Sequence, residues 1–558
     1  MLKKFPFFLM LAFPLALAAQ TSTRIEGRGV WAHPGDFGKS EKDVEEVFKV
    51  LKKANIQVVV PLVKDMAGRV YWQSKKFPEA VHPDYREFDL LRAITNVAPK
   101  YGIKVHAWLC DFPEGKDSPA FKAHPEWGML NPQGGLTSEE KLTPDQVYGP
   151  VWMCPNRRPG YTDQWLLPMI EEVVRQYPVD GIHHDYVRYP GDVAPDSYCF
   201  CDYCLEHFLS DSLFYYPSRP DVQIPLKKDR LREESNWDLD FTVRPPNWAE
   251  MSREDKAKFI LEGKSINRPD LGYFFYELRC DAISRFVREA WERASAIRPG
   301  IEMSAAVFIN PMKSGRFIAQ RWTDFAPWVD IAMTMTYRSH FQGSFEDYLT
   351  YLADVVRAQN RWVGEKCSLL VGLDAHYIFR EELEPWERAL SLLKTGRALE
   401  SKEEFGRLVK ANIASLSPFS DLRAKELSAK YDSFLKGKVT QEALAGELNG
   451  ILADPPPGFF PGAKLIQTIE TVRKAGGPGV IIFAASHLTR KKLWGAVEKA
   501  FSSPASPSFE VLPAGHHLSI KTWKEIWRES HKSEVGNFGA RPKPPFSSSK
   551  ASSPQGYH

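Results

Sequence analysis

The chain has 558 residues, of which 43% are hydrophobic and 26% charged, so it can form one large domain with insertions or several average ones. Its 73 basic and 70 acidic residues leave a net charge of +3 without a basic arm, which excludes nucleic acid as an expected partner. The aromatic share is high, with 16 Trp, 20 Tyr and 34 Phe, and aromatic faces suit sugar rings as well as ordinary cores.

The N-terminal segment has the pattern of a signal peptide over residues 1–19. Lys3 and Lys4 precede the apolar run FPFFLMLAFPLALAA, and Ala16-Leu17-Ala18 places small residues at a cleavage position. The apolar run is shorter than the roughly 20 residues that span a membrane. We therefore expect a secreted or periplasmic protein without membrane insertion after cleavage.

Short apolar, β-rich segments alternate with amphipathic helical ones along most of the chain. This alternation is typical of βαβ units, and nearly continuous apolar runs suit strands that are covered on both faces. Eight such units predict an α/β fold, a (β/α)8 TIM barrel, over residues 27–503. The predicted strands are Gly29–His33, Ile56–Val63, Lys104–Cys110, Val179–Asp185, Glu302–Phe308, Asp330–Tyr337, Cys367–Asp374 and Gly479–Ser486. The predicted helices between them include Lys42–Ala54, Asp89–Tyr101, Gln164–Tyr177, Tyr273–Ala296, Phe345–Gln359 and Leu465–Ala475.

Two insertions interrupt the pattern, at about residues 192–271 after strand four and at about 381–460 after strand seven. The second has the composition of an inserted helical hairpin. Because both follow a strand, both are expected on the face where barrels keep their active sites. Residues 504–533 predict a C-terminal extension with one more helix, and residues 534–558 have the Pro/Ser/Lys composition of a disordered tail.

Strand four ends in an ionisable cluster, VDGIHHDYVRYPG, from Val179 to Gly191. Strand alternation places Gly181, His183 and Asp185 on one face. Asp185 then lies at the carboxyl end of the strand, where barrel enzymes hold catalytic groups. The alternative is a structural carboxylate that pairs with Arg188 and orders the loop.

Other strand ends also carry polar groups, and together they predict a pocket at one end of the barrel. These ends are His33, Cys110-Asp111-Phe112, Tyr337-Arg338-Ser339-His340, Asp374-Ala375-His376-Tyr377 and Ser486-His487.

Three motifs, RGVWAH, VHAWL and YPVDGIHHDYVRYPG, resemble those of the family 10 glycosyl-hydrolase-like proteins. These are exported bacterial (β/α)8 barrels that are linked to cell-envelope glycans. The resemblance runs from about Arg28 to Ser486, with both insertions unmatched. Family members often carry two consecutive Asp where this chain has Asp185-Tyr186, so only the first acid carries over.

Glycoside hydrolysis needs two carboxyl functions, or one together with a substrate acetamido group. Asp185 is the first candidate, and Asp374 and Asp111 are the candidates for the second. Glu302 starts its strand and should therefore face the far end of the barrel. His183 can tune Asp185, bind a sugar hydroxyl or be an ordinary core histidine. The candidate substrate-binding residues are His33, Trp108, His183, Arg188, Tyr189, Tyr337, His376 and His487.

Three cysteines form a C-x-C-x-x-C motif, Cys199, Cys201 and Cys204, and Cys154 lies 45 residues upstream of the first. Four thiolates would make a closed tetrahedral zinc site with a structural role. The arrangement resembles the structural zinc site of family 42 β-galactosidases. The alternatives are one disulfide with free thiols, as export permits, or His207 in place of Cys154 as a ligand.

The expected function is that of a secreted glycoside hydrolase acting on a bacterial envelope polysaccharide, such as the glycan strands of peptidoglycan. The substrate is implied by the family resemblance alone. One alternative is a catalytically inactive glycan-binding barrel, and another is a hydrolase or deacetylase in which the metal is catalytic. The expected partner is a polysaccharide or oligosaccharide, no organic cofactor is implied, and the oligomeric state is not predicted.

Overall fold

A computed structural model describes most of the chain, including all residues of the eight predicted strands. The predicted signal peptide, all but the first five residues of the predicted extension, and the tail lie outside the described residues. The described residues are 24–139, 150–191, 193–194, 196–207, 247–262, 271–364, 366–460 and 462–508.

Eight parallel strands close into a barrel in which each strand pairs with its neighbours in sequence and the last pairs with the first. This confirms the predicted (β/α)8 barrel. The strands are β1 (Gly27–Ala32), β2 (Val58–Lys64), β3 (Lys104–Cys110), β4 (Gly181–Asp185), β5 (Glu302–Val307), β6 (Ile331–Met335), β7 (Ser368–Asp374) and β8 (Gly479–Phe483).

Helices connect the strands, and the six helices predicted from the sequence are present within a few residues of their expected bounds. Between β5 and β6, where no helix was predicted, the chain forms two short ones. The helices are α1 (Glu41–Lys53), α2 (Leu90–Tyr101), α3 (Pro119–Ala123), α4 (Leu167–Gln176), α5 (Arg253–Glu262), α6 (Leu271–Ile297), α7 (Pro311–Ile318), α8 (Trp322–Phe325), α9 (Phe345–Val363), α10 (Ala375–Lys394), α11 (Lys402–Leu416), α12 (Asp421–Leu435), α13 (Gln441–Ala453), α14 (Ala463–Lys474), α15 (Ala485–Arg490) and α16 (Trp494–Ala500).

Two strands end two or three residues earlier than predicted. Strand β6 ends at Met335, so Tyr337 lies in the loop that follows it. Strand β8 ends at Phe483 because α15 begins two residues later, which places His487 on that helix. Both residues remain at the carboxyl end of the barrel.

Helix α1 shows how the outer layer forms. The Ser40 side chain accepts a hydrogen bond from the backbone N–H of Asp43 and caps the helix at its start. Val44, Phe48 and Leu51 are buried at spacings of four and three residues, which is the period of one helix face. They join the core that fills the space between strands and helices.

The inside of the barrel is filled by side chains, as in other closed barrels of this size, and is not a pore. The interior cluster includes Trp31, Val60, Trp108 and Met333. At the opposite end, Glu302 starts β5 and binds His106 Nε2 at 2.9 Å and Lys104 Nζ at 2.6 Å.

The segment after β7 contains more helices than the predicted helical hairpin. It forms four helices, α10 to α13, because the apolar positions of 402–416, 421–435 and 441–453 each mark a separate amphipathic stretch. Their buried side chains, among them Trp386 and Leu427, form a core distinct from that of the barrel.

The described part of the segment after β4 packs on the barrel through a small apolar cluster. Phe200 stacks on Phe275 of α6 with ring centroids 4.8 Å apart, and Ile260 of α5 joins them. Among the described residues, no helix is long and apolar enough to cross a membrane.

We predict that Leu427→Ala lowers the free energy of unfolding by about 2–5 kcal/mol, because it opens a cavity in the core of the α10–α13 segment. Hydrogen exchange should show that α11 to α13 lose protection before the barrel strands do. Leu422→Ala, at a position that is 69% exposed, serves as the control and should change the free energy of unfolding by less than about 0.5 kcal/mol. Equal loss of protection in the barrel would contradict a separate core.

Candidate active site

Asp185 is the last residue of β4 and lies on the interior face of that strand. Its Oδ2 accepts a hydrogen bond from Trp108 Nε1 at 3.1 Å, and its Oδ1 accepts one from the backbone N–H of Tyr186 at 2.7 Å. Burial raises the pKa of Asp185 to about 6, and the Asp111 charge adds to this, against the lowering effects of Tyr186, Arg188 and Trp108. A carboxyl group with this pKa can hold or release a proton near neutral pH.

The chain turns sharply after Asp185, since Tyr186 has a φ of 50°. This turn brings Arg188 back over aromatic rings, with its guanidinium 4.8 Å from the Tyr186 ring centroid and 5.0 Å from that of Trp152. Arg188 also donates to the carbonyl of Tyr189 at 3.0 Å. It therefore lies in the wall beside Asp185, and its charge lowers the pKa of that carboxyl group.

Asp374 is the second acid on this face, at the end of β7 and the start of α10. Its Oδ1 caps the helix by accepting from the backbone N–H groups of His376 at 2.8 Å and Tyr377 at 3.4 Å. The same oxygen lies 3.5 Å from Nδ1 of His487. Asp374 Oδ2 accepts no hydrogen bond from the described residues and is left for an outside partner.

Tyr337 lies close enough to both acids to respond to their charges. Burial raises its pKa well above the usual value, and Asp185 and then Asp374 add to this effect. The phenol is therefore neutral at physiological pH and can donate a hydrogen bond. The charges of both carboxyl groups therefore act on one phenol.

Aromatic rings form the remaining wall. Phe483, the last residue of β8, has its ring centroid 5.7 Å from Tyr337, 5.6 Å from His33 and 5.4 Å from His487. His33 in turn lies 5.5 Å from Trp108. Phe483 was not among the predicted site residues, although strand alternation from the inward-facing Ile481 would have found it.

His183 does not bind substrate in this arrangement, contrary to one prediction. It is fully buried inside the barrel, where Nε2 accepts from Trp31 Nε1 at 3.0 Å and Nδ1 lies 2.9 Å from Ser304 Oγ. Burial lowers the pKa of His183 well below its usual value, so the ring is neutral. It is a satisfied core histidine beneath the site.

Asp111 does not lie beside Asp185 on the interior face, where a second catalytic acid would be needed. It lies on the outward side of the barrel wall, is fully buried, and pairs through Oδ2 with His184 Nδ1 at 3.0 Å. The Phe286 ring of α6 covers this pair, with its centroid 5.3 Å from that of His184. Alternation from the inward-facing Trp108 and Cys110 places Asp111 on the outward side, so the position of Asp111 at a strand end was a poor guide to its role.

Tyr189 is also placed away from the two acids. Its ring is fully buried, and its hydroxyl accepts from Asn156 Nδ2 at 3.0 Å. Asn156 Nδ2 lies 3.6 Å from Cys204 Sγ, so Tyr189 belongs to the surroundings of the cysteine cluster. The predicted residues that the structure does bring together around the two acids are His33, Trp108, Tyr337, His376 and His487.

The four predicted cysteines come together, and their sulfur atoms all lie within 4.8 Å of one another in a buried cluster. Cys154 Sγ lies 3.5 Å from Cys204 Sγ and 3.8 Å from Cys201 Sγ. All seven cysteines of the chain are free, so no disulfide forms here. His207 instead points Nδ1 at the carbonyl of Tyr203, at 2.9 Å, and is not part of the cluster.

This cluster fits a metal ion. Tetrahedral thiolates at the usual Zn–S distance of about 2.3 Å place their sulfur atoms about 3.8 Å apart, close to the spacing seen here. Four thiolates would leave no open position for water, which disfavours a catalytic metal. A bound ion would tie the segment after β3 to the loop after β4.

The fold and the site thus define a (β/α)8 barrel with acids and aromatic rings at the carboxyl ends of its strands. Residues 43–186, from α1 to the residue after β4, match the family model described as Hypothetical glycosyl hydrolase 6. The matched segment includes Trp108, Cys154 and Asp185. The match supports a glycosidase and does not single out family 10.

Solved structures of several glycoside hydrolases are similar to this chain at low identity. The glycoside hydrolase domain of PgaB (BpsB) from Bordetella bronchiseptica is 12% identical, with 63% of this chain and 85% of that chain covered and a TM-score of 0.43. The catalytic domain of β-amylase from Paenibacillus polymyxa is 10% identical, with 87% of this chain and 100% of that chain covered and a TM-score of 0.43. β-Galactosidase from Marinomonas ef1 is 12% identical, with 62% of this chain and 48% of that chain covered and a TM-score of 0.41. This chain therefore spans about half the length of that enzyme. No curated protein matches the chain.

We predict that Trp108→Phe raises the pKa of Asp185 above about 6, because it removes a hydrogen bond that stabilises the carboxylate. Titration of the labelled Asp185 carboxyl carbon by NMR measures this shift directly. Trp362→Phe, on helix α9, is the control and should leave the titration of Asp185 unchanged. An unchanged or lowered pKa in Trp108→Phe would show that the indole does not stabilise the carboxylate.

Proposed function

We propose that this protein is a secreted glycoside hydrolase that cleaves a bacterial envelope polysaccharide, with Asp185 as a catalytic carboxyl group. The observation that carries the proposal is the pair of acids, Asp185 and Asp374, at the carboxyl ends of β4 and β7. The contacts that link them run through Trp108, His33, Phe483 and His487. Glycosidic bond cleavage requires two carboxyl functions beside the bound sugar.

The environments of the two acids favour different roles. Asp185, with a pKa near 6, holds a proton in slightly acidic solution and can donate it to the oxygen of the leaving sugar. Asp374 lies at the positive end of the α10 dipole, which favours a negative charge. Its second oxygen is the one available to face the sugar or a water molecule.

The rings around the acids suit a sugar. The faces of Tyr337 and Phe483 offer a flat apolar surface, while the His33 and His487 rings offer nitrogen atoms for hydroxyl groups. His33 has a side chain that is 37% exposed, so a ligand can reach it. These groups support binding of a carbohydrate without fixing which one.

The choice of an envelope glycan, with peptidoglycan strands as the first candidate, rests on the resemblance of the strand motifs to the family 10 glycosyl-hydrolase-like proteins. Export rests on the signal-peptide pattern of residues 1–19. A secreted or periplasmic location would bring the protein to such a substrate.

We further propose that the cysteine cluster holds a structural zinc ion through Cys154, Cys199, Cys201 and Cys204. The ion would stabilise the fold around Tyr189 and leave the reaction to the carboxyl groups. Zinc held by four thiolates contributes folding free energy and is shielded from solvent.

We predict that Asp185→Asn abolishes cleavage, with at least a hundredfold loss in kcat, because Asn cannot donate the proton. In the unsubstituted protein, kcat should fall as the pH rises through about 6, since Asp185 loses its proton in that range. The assay uses purified protein with a panel of glycans, including intact and peptide-free peptidoglycan strands, and detects products by mass spectrometry.

Asp84→Asn, an exposed acid outside the site, is the matched control for the loss of one carboxyl group and should retain full activity. Melting curves establish that the variants are folded. If no glycan is cleaved while both the original protein and Asp185→Asn still bind, the protein is a glycan-binding barrel. The Tyr at position 186, where family 10 members often have a second Asp, is the feature that favours this alternative.

We predict one zinc ion per chain, measured by metal analysis of protein purified without added metal. Cys201→Ser should lose the ion and melt more than about 5 °C lower, because three thiolates and a hydroxyl bind zinc poorly. Cys280→Ser, a buried cysteine outside the cluster, should keep the ion. Thiol counting that finds a disulfide among the four residues would contradict the proposal.

A further inference from the structure

A depression beside Asp374 is lined by four basic side chains. His376 begins α10, His487 and Arg490 lie on α15, and Lys491 follows that helix. The depression has a volume of about 230 Å³, which can hold a substituent of a sugar ring. Its location extends the site away from Asp185.

The two permanent cations of this depression have no ion-pair partner among the residues that the structure describes. Arg490 donates through Nε to the carbonyl of Ser486 at 3.2 Å, which leaves its two terminal nitrogen atoms without a hydrogen bond. Lys491 Nζ lies 5.8 Å from the Phe379 ring centroid and forms no ion pair. Both cations can therefore bind a ligand without breaking an existing salt bridge.

Each of the two acids near this depression has one oxygen that accepts a backbone hydrogen bond. Asp374 Oδ1 caps α10. Asp36 Oδ2 accepts a hydrogen bond from the backbone N–H of His33 at 2.8 Å, and the charge of Arg490 acts on Asp36. By contrast, a second depression along α10 is lined by two arginines and three glutamates, and Arg338 pairs there with Glu381 at 2.8 Å. The excess positive charge is thus specific to the His376 side.

The depression adjoins the acids directly. His487 Nδ1 is 3.5 Å from Asp374 Oδ1, and the ring centroids of His376 and His487 are 5.4 Å apart. A sugar bound at Asp374 would hold its substituents, or the next sugar along the chain, against these rings.

We propose that this depression is a subsite for an acidic sugar, whose carboxylate or phosphate binds Arg490 and Lys491. The inference rests on the proposed function and specifies its substrate class as an anionic glycan. A guanidinium group presents paired N–H donors that match a carboxylate or phosphate, and the lysine adds a second charge. The nitrogen atoms of the two His rings suit the hydroxyl groups beside the anion.

The test compares two glycans with the same β-1,4 backbone in an Asp185→Asn background, which prevents turnover. Peptide-free peptidoglycan strands carry a carboxylate on every second sugar, whereas chitin oligomers of the same length carry none. We expect the acidic strand to bind about tenfold more tightly by calorimetry, and this preference to weaken as salt is added.

In the same background, Arg490→Gln with Lys491→Gln should remove the preference and leave the affinity for chitin oligomers unchanged. Lys474→Gln with Lys499→Gln removes the same charge from exposed positions outside the depression and should retain the preference. Melting curves confirm that both double variants are folded. N-acetylmuramic acid and N-acetylglucosamine 6-phosphate are then compared as competitors of the acidic strand. The stronger competitor shows whether the subsite prefers a carboxylate or a phosphate.

Two results would overturn the inference and are distinguishable from each other. Equal binding of both glycans, or a preference that survives Arg490→Gln with Lys491→Gln, rejects the acidic subsite while leaving a glycan-binding barrel. Binding of neither glycan rejects the subsite together with the proposed function.

Discussion

The pairing of β3 with β4 is the constraint on which the candidate site depends. Gly181 pairs with His106, and a Cβ on Gly181 would lie 2.7 Å from His106 Cε1 and 2.8 Å from the carbonyl oxygen of Glu302, so only glycine fits. With this pairing in place, Cys110 lies opposite Asp185. A slip of one residue would exchange the two faces of β4 and remove Asp185 from the cleft.

The two faces of β4 explain why this strand carries two consecutive histidines. His183 faces inward and completes the hydrogen bonds of Trp31 and Ser304 in the barrel core. His184 faces outward and pairs with Asp111 beneath α6. Asp111 and Asp185 come from neighbouring strand ends, yet one is closed off in an ion pair while the other opens to the cleft. Environment, rather than residue type, separates the structural acid from the candidate catalytic one.

The barrel was predictable because each strand is a short apolar run followed by an amphipathic helix, a pattern that survives in a single sequence. Asp185 followed from the two-residue period of β4, and the cysteine cluster followed from spacing. Alternation from Trp108 and Cys110 also places Asp111 outward, so its direction was predictable although its role was misassigned. Tyr189 lies four residues beyond the end of β4, where that period no longer applies. Phe483 was missed because an apolar residue at a strand end looks like core, and the burial of His183 depends on its depth along the barrel axis.

Helix α10 belongs to two cores at once. Its first turns, with Ile378 and Phe379, pack into the barrel core, while Trp386 and Leu390 pack into the core of the α10–α13 segment. The residue that caps this helix is Asp374. Pro385 lies between these two halves and removes one backbone hydrogen bond of the helix. The two cores therefore meet at a point where the helix is weakened, about three turns along α10 from Asp374.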